Sequence, residues 1–145
     1  MLSTPSQSFL RYVLWADAIS CLACGLLQVA FTGYLSQHLG LPSVLLAGTG
    51  DFLLLYGASV AFLATRTQVS GAIIWLLIVG NFSWGLACVG LLLANDVHPT
   101  SLGKGYVVVQ ALTVLILARL QYMSVRSHKV YVEQPRNIAG SDDPR

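Results

Sequence analysis

Residues 70–93 read SGAIIWLLIVGNFSWGLACVGLLL, an apolar run with no charged residue anywhere in it. That length matches what an α-helix needs to cross a hydrocarbon core about 30 Å thick, at a rise of about 1.5 Å per residue. Three other stretches share its character, Phe9–Phe31, Pro42–Ala64 and Leu102–Ser124. They predict four membrane-spanning helices, over about 9–31, 42–64, 70–93 and 102–124. The breaks between them are chemically apt. Thr32-Gly33 ends the first helix and Pro42-Ser43 suits the first turn of the second. Thr65-Arg66-Thr67-Gln68 forms a short turn, and Pro99 cannot continue the third helix. The runs are continuously apolar, without the two-residue alternation of a membrane β-barrel.

Composition agrees. Of 145 residues, 55% are hydrophobic and 10% charged, against a usual charged share of roughly 25% in soluble domains. The mean hydropathy is +0.69. These values exclude a soluble globular enzyme, a disordered chain and a disulfide-stapled secreted module. The formal net charge of +2 is too small to imply nucleic-acid binding. Cys21, Cys24 and Cys88 all lie inside apolar stretches, so they form no extracellular disulfide framework. The first apolar run is too long, and with Asp17 and Gln28 too polar, for a signal-peptide core. The predicted fold class is all-α: a four-helix transmembrane bundle over 1–124 with short links, and a disordered polar cytoplasmic tail over 125–145.

Lysine and arginine set the expected orientation. Arg11 precedes helix one, Arg66 lies between helices two and three, and Arg126 and Lys129 follow helix four. The link between helices one and two has neither residue type, and that between three and four only Lys104 beside it. Both termini are expected inside. Residues Tyr34–Leu39 have a short apolar face that suits an interfacial helical turn on the outer side.

An ionisable residue within a span costs roughly 2.5–3.5 kcal/mol, so each one needs a reason. Asp17 sits about 12 Å from the inner edge of helix one and Asn81 about 16 Å from the same edge of helix three; Asp51 and Gln110 sit about 12 Å from the outer edge of theirs. Helical spacing puts Asp17, Ser20, Cys24 and Gln28 on one face, and Gly48, Asp51, Leu55 and Ala58 on another. Asn81, Gly85 and Cys88 share a face of helix three; Tyr106, Gln110, Thr113 and Gln121 share one of helix four. Small and polar stripes of this kind face one another in lipid. The candidate intramembrane network is therefore Asp17, Asp51, Asn81, Gln110 and Gln121, serving either as helix glue or as the lining of a ligand-accepting cavity. Arg119 lies opposite Gln110 on helix four; with Arg126 and Lys129 it forms a candidate set of lipid-headgroup contacts, the alternative being a pair with Asp17.

Leu22-Ala23-Cys24 and Leu86-Ala87-Cys88 make a faint repeat between helices one and three, which chance similarity of Leu/Ala-rich helices also explains. Cys21-Leu22-Ala23-Cys24 invites a redox reading, yet it lies deep in helix one, where buried packing residues are expected. His38, His98 and Asp96 have no metal-ligand spacing. No phosphate-binding loop, Ser/His/Asp set or zinc motif occurs, so no enzyme, cofactor or metal is expected. The expected partners are the lipid bilayer, not nucleic acid, together with another copy of the chain or another membrane protein.

The pattern resembles the small four-helix inner-membrane proteins of bacteria, loosely of the DoxX-like sort. The features that carry it are Arg11 ahead of Asp17, Leu39-Gly40-Leu41-Pro42, Gly80-Asn81-Phe82-Ser83-Trp84, and Gln110-Ala111-Leu112 with Leu120-Gln121-Tyr122. The resemblance implies a bacterial inner-membrane location and carries over no catalytic residue. Two functional expectations follow. One is a structural or accessory membrane component; the other is a small proton-coupled transporter using Asp17 and Asp51.

Overall fold

The computed structural model describes the backbone of residues 5–66, 69–94 and 97–138, and side chains over 8–66, 69–94 and 97–124. Five helices follow in order: α1 (Pro5–Ala30), α2 (Thr32–Leu39), α3 (Ser43–Thr65), α4 (Gly71–Leu93) and α5 (Ser101–Ile138). Four are long and apolar enough to cross a membrane, over Ser8–Ala30, Ser43–Thr65, Gly71–Leu93 and Ser101–Ser124. The chain is thus built as an all-α, multi-pass membrane protein, and no strand occurs among the described residues. Helix α2 is the turn foreseen over Tyr34–Leu39, two residues longer at its start. Helix α5 runs on to Ile138, past the end of the apolar span at Ser124. The loss of apolar character after Ser124 ends a span without ending a helix, and the helix takes in Pro135 near its end. Residues 139–145 lie outside those described.

The packing is that of two helix pairs. Helix α1 lies along α3, α4 lies along α5, and α1 joins the pairs by packing on α5. The order around the bundle is α3-α1-α5-α4. It does not close: among the described residues no Cα of α3 comes within 8 Å of one in α4. A crevice of about 350 Å³ runs between them, lined by Cys21, Phe52, Tyr56, Asn81, Ser83 and Trp84 among others. Phe52 and Trp84 stack across it with ring centroids 5.5 Å apart.

Glycine sets the tight α1–α3 seam. A Cβ on Gly25 would sit 2.8 Å from the Gly50 carbonyl oxygen, and one on Gly57 would sit 2.9 Å from Leu22 Cγ. Lipid supplies no hydrophobic drive between helices, so close backbone approach is what favours association. The face of α3 that meets α1 is Leu46, Gly50, Leu53, Gly57, Val60 and Ala64. The stripe expected to face inward, Gly48, Asp51, Leu55 and Ala58, is exposed on the outside of the bundle.

Helix α2 closes one end of the bundle against α3 and α5. It stops at Gly40, whose φ of 66° is the left-handed cap geometry that glycine adopts without strain. The freed carbonyls of α2 are used rather than left open. Thr100 donates its backbone N–H to Leu39 O at 2.9 Å and its hydroxyl to His38 O at 2.7 Å. Gly103 lies so close to the Leu39 carbonyl that no Cβ fits there.

Candidate functional site

Two polar clusters lie within the bundle, at different levels. The first centres on Asp17, which is 0% exposed. Its Oδ2 accepts a hydrogen bond from Gln121 Nε2 at 2.8 Å, from Asn81 Nδ2 at 3.1 Å and, longer, from Tyr56 OH at 3.5 Å. Its Oδ1 faces Cys21 Sγ at 3.6 Å. Asn81 Nδ2 also donates to Gln121 Oε1 at 3.3 Å, which closes a ring of three side chains. Helices α1, α3, α4 and α5 each contribute at least one of these residues. Four donors thus converge on one carboxyl group with no cation among the described residues. Hydrogen-bonding in this way is how a buried charge or dipole is held when no ion pair is made.

The second cluster centres on the Tyr106 hydroxyl of α5, which accepts from Gln28 Nε2 at 2.7 Å and from Gln110 Nε2 at 2.8 Å. Thr49 donates to Gln28 Oε1 at 2.7 Å, tying α3 to α1. Cys24 Sγ lies 3.1 Å from Gln110 Nε2 and 3.4 Å from Tyr106 OH. A cavity of about 170 Å³ adjoins this cluster, lined by Gln28, Thr49, Trp84, Cys88, Tyr106 and Gln110 with leucines. No buried side-chain nitrogen or oxygen among the described residues lacks a hydrogen-bond partner.

The structure brings together three of the five network residues, Asp17, Asn81 and Gln121, and places Gln110 in the second cluster. Asp51 joins neither. Its side chain is exposed, because Gly50 and Leu53 turn the opposite face of α3 toward α1. Arg119 does not pair with Asp17 either; it is exposed, five residues before the end of the span, while Asp17 is enclosed. Arg126 and Lys129 lie on the backbone of α5, and their side chains are outside the described residues.

Sequence reasoning missed Tyr56, Thr49 and Cys21 as network members. Thr49 and Tyr56 are seven residues apart and so share one face of α3, a signal that the more strongly polar Asp51 masked. Tyr106, on the polar stripe of helix four with Gln110, is the hub of the second cluster. Cys21 and Cys24 serve different clusters and are free thiols. His38 stacks on Tyr34 with centroids 4.0 Å apart, and Asp96 is outside the described residues. No group of three or more metal-ligating side chains occurs among the described residues.

No protein-family model matches the chain. Comparisons with curated proteins and with solved structures also find no match.

Proposed function

We propose that this chain is a non-enzymatic accessory component of a bacterial inner membrane, with both termini cytoplasmic, and that its intramembrane polar groups serve to hold the bundle together. The observation that carries this reading is the Asp17 ring. The polar partners of the carboxyl come from the chain's own helices, so the group's hydrogen-bonding capacity is used in joining α1 to α3, α4 and α5. Arg11 and Arg66, at the same end of the bundle, support the orientation.

One observation favours a second reading, proton-coupled transport through Asp17. Cys21, Tyr56 and Asn81 touch Asp17 and also line the crevice between α3 and α4. Asp51 has no part in this version. The two readings separate in liposomes loaded with a pH-sensitive dye. The accessory role predicts that the parent protein collapses an imposed pH gradient no faster than empty vesicles, and that Asp17→Ala lowers thermal stability. A parent that dissipates the gradient, with a folded Asp17→Asn variant that does not, overturns it in favour of transport.

A further inference from the structure

The Asp17 carboxyl has several donors and, among the described residues, no counter-ion. Gln121 and Asn81 aim amide N–H groups at its Oδ2, joined at longer range by the Tyr56 hydroxyl, an arrangement that suits an acceptor-only carboxylate. An ionised group inside a span calls for a partner charge. The cations of the spans do not supply it. Arg11, Lys104 and Arg119 are all exposed. Arg11 lies six residues before Asp17, about 120° away around α1, and Arg119 two residues before Gln121, about 160° away around α5. Lys104 lies about 25 Å along α5 from Gln121. Arg126, five residues past Gln121, starts about 140° round the same helix.

Beside this carboxyl is a space whose lining suits a cation. The crevice between α3 and α4 holds about 350 Å³, within the size range of small-molecule sites. Cys21, Tyr56 and Asn81 line it and also touch Asp17, so one layer of side chains separates the space from the carboxyl. Tyr56, Phe52 and Trp84, all in the lining, form a run of stacked rings with centroids 6.1 Å and 5.5 Å apart. Phe52 stacks on one face of Tyr56 and one face of Trp84, which leaves each a second. Such a face attracts a cation, more strongly where water is excluded. Only Tyr56, Asn81 and Ser83 bring side-chain oxygen to the lining. An ammonium with three N–H groups, or a metal ion stripped of water, would find too few acceptors there. A cation whose charge lies under hydrocarbon needs none.

We propose that the α3–α4 crevice binds a lipophilic organic cation without N–H groups, of the quaternary ammonium or phosphonium class, held by the aromatic faces of Tyr56 and Trp84 and by the charge of Asp17. Asn81 lies about 15 Å along α4 from Gly71, close to mid-span. A strongly hydrated ion does not reach that depth, whereas a cation clothed in hydrocarbon does. The way in is from the side. The backbones of α3 and α4 stay apart, and Phe52 and Ser83 are exposed between them, so the ligand enters from the hydrocarbon. Binding requires no movement of protons. Asp17 joins the helices and supplies the charge at once, under either role proposed for it.

The test uses the full chain in a neutral detergent, with tetraphenylphosphonium as the cation and tetraphenylborate, of the same shape and opposite charge, as its control. Calorimetric titration is expected to show saturable binding of tetraphenylphosphonium and none of tetraphenylborate. Asp17→Asn keeps the shape of the side chain without its charge and weakens binding by about tenfold or more. Asp51→Asn removes an exposed carboxyl from the outside of α3 and leaves binding unchanged. Trp84→Leu weakens it by about threefold or more with the helical circular dichroism retained, and this arm stands even where Asp17→Asn fails to fold. Absence of saturable tetraphenylphosphonium binding, equal binding of the two probes, or parent-like affinity in Asp17→Asn or Trp84→Leu overturns the proposal. Loss of binding in Asp51→Asn also overturns it, by moving the cation to the outer face of α3. Because binding is read without a gradient, a parent that moves no protons leaves the proposal standing.

Discussion

Asp17 and Tyr106 show how single polar residues are stabilised where water is excluded. The Asp17 carboxyl accepts from Gln121 and Asn81 through the single oxygen Oδ2, so an alanine there leaves both buried amide donors without an acceptor. Asp17→Ala is expected to lower stability by about 1–3 kcal/mol, the cost of buried polar groups left without partners. Thermal unfolding in detergent, followed by circular dichroism, measures it. Tyr106→Phe removes the oxygen to which Gln28 and Gln110 both donate, and Gln28 is only 1% exposed. A loss of about 1–2 kcal/mol is expected by the same measurement. Tyr12→Phe is the control, since Tyr12 is 76% exposed, and it should change little. The importance of Asp17 and Asn81 was legible in the sequence from their cost in a span. The role of Tyr56 was not, because a tyrosine is tolerated in many places in a membrane helix and its OH finds a use only when a specific neighbour arrives.

The helices themselves follow from hydropathy, but their fit depends on single glycines. Gly25→Ala places a methyl against the backbone oxygen of Gly50, an atom that cannot rotate away. It is expected to destabilise the protein by about 1–3 kcal/mol through overpacking. Gly80→Ala, with open space around the added carbon, is expected to leave the melting temperature unchanged or raise it slightly. Comparing the two variants by thermal unfolding isolates the α1–α3 seam from the general preference of helices for alanine. Helix boundaries were read to within a few residues except at the ends of α1 and α5. The start of α1 at Pro5 and the run of α5 to Ile138 extend past the apolar segments.

At the scale of the whole molecule, two pairs of helices leave one side open, and the Phe52–Trp84 stack and the Asp17 ring reach across the gap. Four spans put the two ends of the helical region on the same side of the bilayer. Reporters fused at each terminus are therefore expected to give the same compartment, and the distribution of arginine predicts the cytoplasm. Opposite signals from the two fusions would contradict the four-span reading. Substituting both Asn81 and Gln121 with leucine should loosen the α4–α5 pair from α1, visible as faster hydrogen exchange in α4.

The sequence alone determined the number of spans, their approximate limits and the cost of each polar group within them, because transfer into hydrocarbon depends on composition and length. Only the tertiary structure decided which face of α3 turns inward. Both of its faces carry small residues at the same heptad spacing, and in lipid an apolar surface is no mark of the outside. Steric fit made the choice: Gly50 and Gly57 admit the backbone of α1 at Gly25 and Leu22, which leaves Asp51 on the far side of the helix.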